Sequence, residues 1–269
     1  MKTEVRPIGI FDSGVGGLTV LQALRQRLSG EHYLYLGDTA RLPYGTKSPA
    51  TVQRYALNAA AHLARHNIKM LVVACNTASS YALNALVEAS AVPVVGVVEP
   101  GVRAALAIGG RRIGIIGTEG TIRSGAYQGA LTAVAPTIGV HATPCPLFVP
   151  LAEEGWGDHP VTDQVAELYL RPILDWGAET IILGCTHYPL LLPSLNRVAG
   201  SKVSFVDSAS AVATTVMSDH SELIDTSSGA VGDVHIELTD ASDRFLRITR
   251  EILGAEPEHL EVVDIEGVA

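Results

Sequence analysis

Cysteine, aromatic residues and charge are all scarce in this chain. Only 3 of its 269 residues are cysteine. Cys75, Cys145 and Cys185 are too few and too far apart for a disulfide framework or a Cys-x-x-Cys metal pair, and are expected to be free thiols in a reducing compartment. Charged residues make up 17% of the chain and the formal net charge is -9, so the concentrated basic face of a nucleic-acid binder is missing. An acidic small molecule is not excluded, because backbone N–H groups and helix N-termini create local positive potential without lysine or arginine. No apolar run approaches the roughly 18 residues of a membrane helix, and Met1-Lys2-Thr3-Glu4-Val5-Arg6 lacks the apolar stretch of a secretory signal. These absences predict a cytoplasmic protein with neither nucleic acid nor membrane as partner.

What the chain does contain is aliphatic: hydrophobic residues reach 47% while aromatics stay at 5%, a balance suited to helices packed on parallel strands. Short β-branched runs ending in turn-forming residues alternate with helix-like stretches, the rhythm of βα units. Strands are expected at Ile8 to Phe11, Tyr33 to Leu36, Met70 to Ala74, Val94 to Val98, Ile113 to Ile116, Thr180 to Leu183, Val203 to Val206 and Val234 to Leu238. Helices are expected at about 18–29, 49–66, 78–90, 101–108, 123–134, 160–176, 189–199 and 241–253, with one more early in the segment after 208.

The strand ends echo one another. Ile8-Gly9-Ile10-Phe11-Asp12-Ser13-Gly14 resembles Ile113-Gly114-Ile115-Ile116-Gly117-Thr118-Glu119, and Val72-Val73-Ala74-Cys75-Asn76-Thr77 resembles Ile182-Leu183-Gly184-Cys185-Thr186-His187. Val97-Val98-Glu99 is loosely repeated at Phe205-Val206-Asp207. The spacing of roughly 105 to 110 residues is nearly constant, which is the mark of an internal repeat. The fold class is therefore α/β, with two similar domains of parallel-rich sheet flanked by helices and related by a pseudo-twofold repeat. The first domain is expected to combine 1–98 with 208–269, the tail packing back on it, and the second to span 99–207. Glu99 and Asp207 would mark the crossings, and the site would lie between the domains.

Ligands of open parallel sheets collect at the carboxyl ends of strands, where both Cys75 and Cys185 fall. A buried core thiol is the plain reading of either cysteine alone. Their matching positions, each before a polar residue at an expected helix N-terminus, favour chemistry, since a helix N-terminus lowers a thiol pKa. If the halves face each other, one thiolate can remove a proton from a carbon and the opposite thiol can deliver another, which inverts that carbon. Cys145 has no counterpart in the first half and reads as structural.

Other residues keep two readings each. Asp12 and Ser13 lead into Gly14-Val15-Gly16-Gly17, either an anion-approaching loop or a tight turn with a helix cap. Asp38 reads as a turn and cap residue, while Tyr44 and Gly45 are placed to close over a ligand or simply to turn the chain. His187 would polarise Cys185, bind a carboxylate or be merely a satisfied polar group. Glu153 reads as an exposed acidic turn. A Cys-His hydrolase built on Cys185 and His187, and an amino-acid-binding protein with inert cysteines, remain the competing classes.

In Phe11-Asp12-Ser13-Gly14-Val15-Gly16-Gly17-Leu18, Gly37-Asp38-Thr39, Pro43-Tyr44-Gly45, Ala74-Cys75-Asn76-Thr77-Ala78, Gly117-Thr118, Pro150-Leu151 with Glu153, and Gly184-Cys185-Thr186-His187-Tyr188-Pro189, the chain resembles the glutamate racemase family of the aspartate/glutamate racemase superfamily. The resemblance runs over most of the chain, in order. It implies interconversion of L- and D-glutamate for peptidoglycan synthesis, with neither pyridoxal phosphate nor metal. It also implies that Cys75 and Cys185 are catalytic, that Asp12 assists Cys75, and that His187 and Glu153 assist Cys185. Substrate contacts would come from Asp12, Ser13, Tyr44, Gly45, Asn76, Thr77, Thr186 and His187, with Thr118 and Thr121 around the carboxylates. A homodimer is implied in the same way, and a related aspartate or hydantoin racemase is the nearest alternative. None of Lys2, Lys47, Lys69 and Lys202 has the setting of a Schiff-base lysine.

Overall fold

A computed structural model describes residues 6–224 and 231–265. The chain begins with β1 (Ile8–Asp12), α1 (Leu18–Arg27), β2 (Tyr33–Gly37), α2 (Pro49–Ala64), β3 (Met70–Val73), α3 (Asn76–Ala89) and β4 (Val94–Gly96). It continues through α4 (Val98–Ile108), β5 (Arg112–Gly117), α5 (Glu119–Ser124), α6 (Ala126–Val134), β6 (Gly139–Pro144), α7 (Phe148–Glu153), α8 (Pro160–Asp175), β7 (Thr180–Gly184), α9 (Leu192–Ala199) and β8 (Ser204–Asp207). It ends with α10 (Ser208–Asp219), β9 (Val234–Leu238), α11 (Asp243–Leu253) and β10 (His259–Val262).

Two sheets result, a six-stranded one ordered β10-β9-β2-β1-β3-β4 and a four-stranded one ordered β6-β5-β7-β8. All pairings among the described residues are parallel. The sequence echo is visible in the order itself, because β2-β1-β3-β4 and β6-β5-β7-β8 are the same arrangement. The tail extends the first sheet through β9, whose Val234 to Leu238 pair with Tyr33 to Gly37.

Both faces of each sheet are covered at its centre, so the central strands β1, β2, β3 and β7 are buried throughout rather than alternating. On one face of the larger sheet Ile8, Ile10, Tyr33 and Tyr35 pack with Leu18 and Leu21 of α1, Val212 and Val216 of α10, and Phe245 and Ile248 of α11. On the other face Phe11, Leu34 and Leu36 pack with Val52, Ala56 and Ala59 of α2 and Ala78 and Ala82 of α3. In the smaller sheet Ile113, Ile115 and Ile182 meet α4 and α6, while Ile116, Ile181 and Leu183 meet α7, α8 and α9. The crossing helices divide cleanly: α4 buries Val102 and Ala105 on the second sheet, and α10 buries Val212 and Ala213 against the first.

Several element ends depart from the sequence reading for local reasons. The helix expected at 123–134 is two helices, because Gly125 adopts φ 69° and closes α5, which starts at Glu119 under a Thr118 cap. The one expected at 189–199 opens as a tight 3-10 turn, Tyr188–Leu191, before α9. Pro193 has no N–H with which to continue an α-helical ladder across the junction. Strands β6 and β10 went unread: the first is a half-buried edge strand of the smaller sheet ending in proline, and the second is mostly exposed at an edge of the larger one.

Candidate active site

In the larger sheet β1 lies between β2 and β3, and in the smaller one β5 lies between β6 and β7. The chain leaves β1 for one neighbour and later returns to the other, so a crevice opens between the loops after β1 and β3, and likewise after β5 and β7. Those four loops converge on one cavity. It is lined by Ser13, Gly14, Leu42, Pro43, Tyr44, Gly45, Cys75, Asn76, Thr77, Thr118, Val149, Glu153, Cys185, Thr186 and His187. The two remaining sequence candidates, Asp12 and Thr121, are fully buried beside it and bond to its lining. With a volume of about 30 Å³, the cavity has room for about one water.

Cys75 stands at the N-terminus of α3, where its sulfur accepts from the Ala78 N–H at 3.4 Å and donates to Ser13 Oγ at 3.5 Å. The expected lowering of its pKa is not what this environment gives. Burial, followed by the Asp12 carboxylate, pushes the thiol up to about 12, against which Ser13 and the Ala78 N–H act more weakly. Asp12 accepts the Gly14 N–H at 2.9 Å and the Thr186 hydroxyl at 3.5 Å. Burial raises its pKa too, although His187 pulls the other way. The glycine loop is thus folded onto Asp12 as a tight turn, and α1 has no side-chain cap. Glycine is required at two places there: a Cβ on Gly17 would lie 2.5 Å from Asp12 Cβ, and one on Gly16 would lie 2.6 Å from His187 Nδ1.

Cys185 does not cap an α-helix as expected; the next element is the 3-10 turn from Tyr188. Its partner is an imidazole, with His187 Nδ1 3.8 Å from the sulfur. On its other side His187 Nε2 lies 3.4 Å from Glu153 Oε1 but makes no aligned hydrogen bond. Burial by itself would lower the His187 pKa, yet Cys185 and Glu153 outweigh it and push it up to about 10. Glu153, read from sequence as an exposed turn, is instead buried at the end of α7. Burial opposes its charge, but His187 and Arg244 prevail and lower its pKa. Arg244 Nη2 reaches Glu153 Oε2 at 3.0 Å from α11, and the Arg247 guanidinium donates to the Glu153 carbonyl at 3.1 Å.

Between the two thiols the walls are polar. The hydroxyls of Thr77, Thr118 and Thr121 form a triangle with sides of 2.9, 3.0 and 3.2 Å, joining the two halves. Asn76 Oδ1 accepts from Tyr127 at 2.6 Å and Ser208 at 3.4 Å, which leaves Nδ2 a buried donor without a protein partner. At the rim Tyr44 is buried and donates to Asp38 Oδ2 at 2.5 Å. Asp38 also accepts from Thr239 at 3.0 Å and makes no cap hydrogen bond. Its expected cap role is replaced by a hold on Tyr44. Cys145 is buried in the core under α7, and its carbonyl accepts from Tyr188 at 2.8 Å.

Four contributors were invisible in the sequence: Tyr127, Ser208, Arg244 and Val149. Tyr127 and Arg244 reach the site from helices far from any motif, whereas Ser208 directly follows the Phe205-Val206-Asp207 echo and Val149 directly precedes Pro150-Leu151, yet neither residue type singles itself out.

A family model described as Asp/Glu/Hydantoin racemase matches residues 8–216. The chain belongs to this racemase family. A glutamate racemase of Geobacter metallireducens is 48% identical over 264 residues, 97% of each chain. A crystal structure of glutamate racemase from Francisella tularensis in complex with D-glutamate superposes with a TM-score of 0.90 at 36% identity, covering 97% of this chain and 98% of that one. The Escherichia coli glutamate racemase, solved with L-glutamate and an activator, has a TM-score of 0.77 at 30% identity and covers 96% and 98%. The chain is accordingly an isomerase, an amino-acid racemase of the glutamate racemase group. Among the described residues no helix is long and apolar enough to cross a membrane.

Proposed function

We propose that this racemase interconverts L- and D-glutamate by a two-base transfer at the α-carbon, with Cys75 and Cys185 as the two bases. The observation that carries the reading is that both thiols, from matching strand ends of matching sheets, line one cavity. A hydrolase built on Cys185 and His187 would leave the position of Cys75 without a purpose. In the forward sense one cysteine, as thiolate, takes the α-proton and the opposite cysteine, as thiol, delivers its own to the other face; the reverse reaction exchanges the roles.

The neighbours divide by wall. Asp12, a buried carboxylate with a raised pKa, is the partner with which Cys75 exchanges its proton. His187, held between Cys185 and Glu153, does so for Cys185. The ammonium of glutamate is assigned to Asp12, and the carboxylates to Ser13, Thr77, Thr118, Thr121, Thr186 and the free Asn76 amide. Tyr44 and Gly45 form the rim over the side chain. No cofactor enters either step.

The two sheets are read as the cores of two domains, 1–98 with 208–269 and 99–207. A cavity of about 30 Å³ is smaller than an amino acid, so the domains part to admit substrate and close to exclude water. The cell would use the product, D-glutamate, in peptidoglycan synthesis, and three free thiols suit a cytoplasmic location.

The test is incubation of purified protein with L-glutamate, and separately L-aspartate, without added cofactor, followed by chiral separation. Accumulation of D-glutamate to an equal mixture supports the reading. Racemisation of aspartate alone would move the substrate, and inversion of neither would overturn it.

A further inference from the structure

We propose that His62, His66 and Glu237, none of which lines the active-site cavity, form a binding site for one divalent transition-metal ion of the zinc class. His62 lies in the last turn of α2, and the chain continues past the helix end in a tight turn in which the His66 N–H bonds to the Leu63 carbonyl at 3.1 Å. The turn brings the His66 ring beside that of His62, with centroids 5.3 Å apart. Glu237 belongs to β9 and sits in register with Leu36. Its neighbours along that strand, Ile236 and Leu238, belong to the core under α1 and α10, so by strand alternation its carboxylate projects to the α2 side.

The carboxylate is 2% exposed, and its two oxygens face the two imidazoles. His62 Nε2 lies 2.6 Å from Oε2 and His66 Nε2 lies 3.6 Å from Oε1. All three ligand atoms fall within 4.8 Å of one another. Tetrahedral zinc with bonds of about 2.0 Å keeps its ligand atoms about 3.3 Å apart, a spacing that the two contacts bracket. Small ring rotations therefore suffice to seat an ion. Two imidazoles and one carboxylate make a donor set suited to zinc and its first-row neighbours rather than to calcium or magnesium.

Access is provided as well. His66 is 42% exposed and forms part of a surface hollow with His32, Asp233, His235 and Glu261, so an ion enters from solvent and water completes its coordination. Glu237 comes from the tail strand and both histidines from the end of α2. A bound ion would therefore fasten the tail of the chain to the body of the first sheet, stabilising the folded state by mass action.

The experiment uses tag-free full-length protein stripped with chelator, titrated with Zn²⁺ against a chromophoric competitor, with thermal melting in parallel. Wild type is expected to take up one equivalent and melt at a higher temperature with the ion. His66→Ala, a change at a largely exposed position, should keep racemase activity, bind about 100-fold more weakly and show no metal-dependent melting shift. The Cys75→Ala/Cys185→Ala double variant should bind as wild type does. Equal affinity in wild type and His66→Ala, loss of the ion only in the double cysteine variant, or no uptake by wild type would each overturn the site.

Discussion

Cys185 Sγ lies 3.8 Å from His187 Nδ1, whereas the Cys75 sulfur meets the Ser13 hydroxyl and the field of the buried Asp12 carboxylate. The two walls thus repeat in fold but not in chemistry: a carboxylate attends one thiol and a charged imidazole the other.

That asymmetry has a kinetic consequence. Enantiomers have equal free energies in water, so any variant must lower kcat/KM equally in both directions. His187→Asn is expected to lower it by about 100-fold, the scale of a proton-transfer partner. The α-deuterium isotope effect should rise only in the direction in which Cys185 removes the proton. Isotope effects measured from each pure enantiomer check this, and a symmetrical rise would contradict the assigned partnership.

The raised pKa of His187 also makes a stability prediction. A histidine whose folded pKa lies above its unfolded value contributes stability that is fully present below the unfolded pKa, near ~6.5, and is lost as pH rises through the folded one. With the folded value at about 10, the wild type should lose stability relative to His187→Asn between about pH 6.5 and 10. Urea unfolding of both proteins across that range measures the difference, which should be flat below about pH 6.

Gly16→Ala tests how closely the first half presses on the second cysteine's loop. The new Cβ would sit 2.5 Å from Thr186 Oγ1 and 2.6 Å from His187 Nδ1. Overpacking of this kind costs about 1–3 kcal/mol, and the atoms that must give way line the cavity. A folded protein with activity reduced by about tenfold or more is expected, read by circular dichroism and initial rates.

Tyr44→Phe should act on stability and rim together. Its hydroxyl donates to Asp38 Oδ2 at 2.5 Å in a buried setting, and losing a partner of a buried carboxylate costs about 1–3 kcal/mol. Thermal melting should show that loss, with a raised KM for glutamate because Tyr44 lines the cavity.

Much of this was legible in the chain because strand ends carry both the fold and the chemistry. The repeat around Cys75 and Cys185 reveals two equivalent half-sheets, since a buried parallel strand followed by a polar loop leaves a compact local pattern. What did not show is what depends on distant neighbours. Edge strand β6, half-buried and ending in Pro144, lacks the apolar run that marks a central strand. The pull of Arg244 on Glu153 requires α11 to cross to the other half, and no local spacing encodes it. The raised Cys75 pKa follows the same rule: a helix N-terminus can be read at that position, but the burial and the Asp12 charge that outweigh it cannot.

Each cysteine is assigned one face of the α-carbon, and exchange by single-cysteine variants separates the two faces. Cys75→Ala and Cys185→Ala would each be incubated with pure L- and pure D-glutamate in deuterium oxide, following α-deuterium by NMR and configuration by chiral separation. Neither variant is expected to invert glutamate, and residual α-exchange with retention should favour opposite enantiomers in the two variants. Inversion at near wild-type rate in either variant would contradict the assignment.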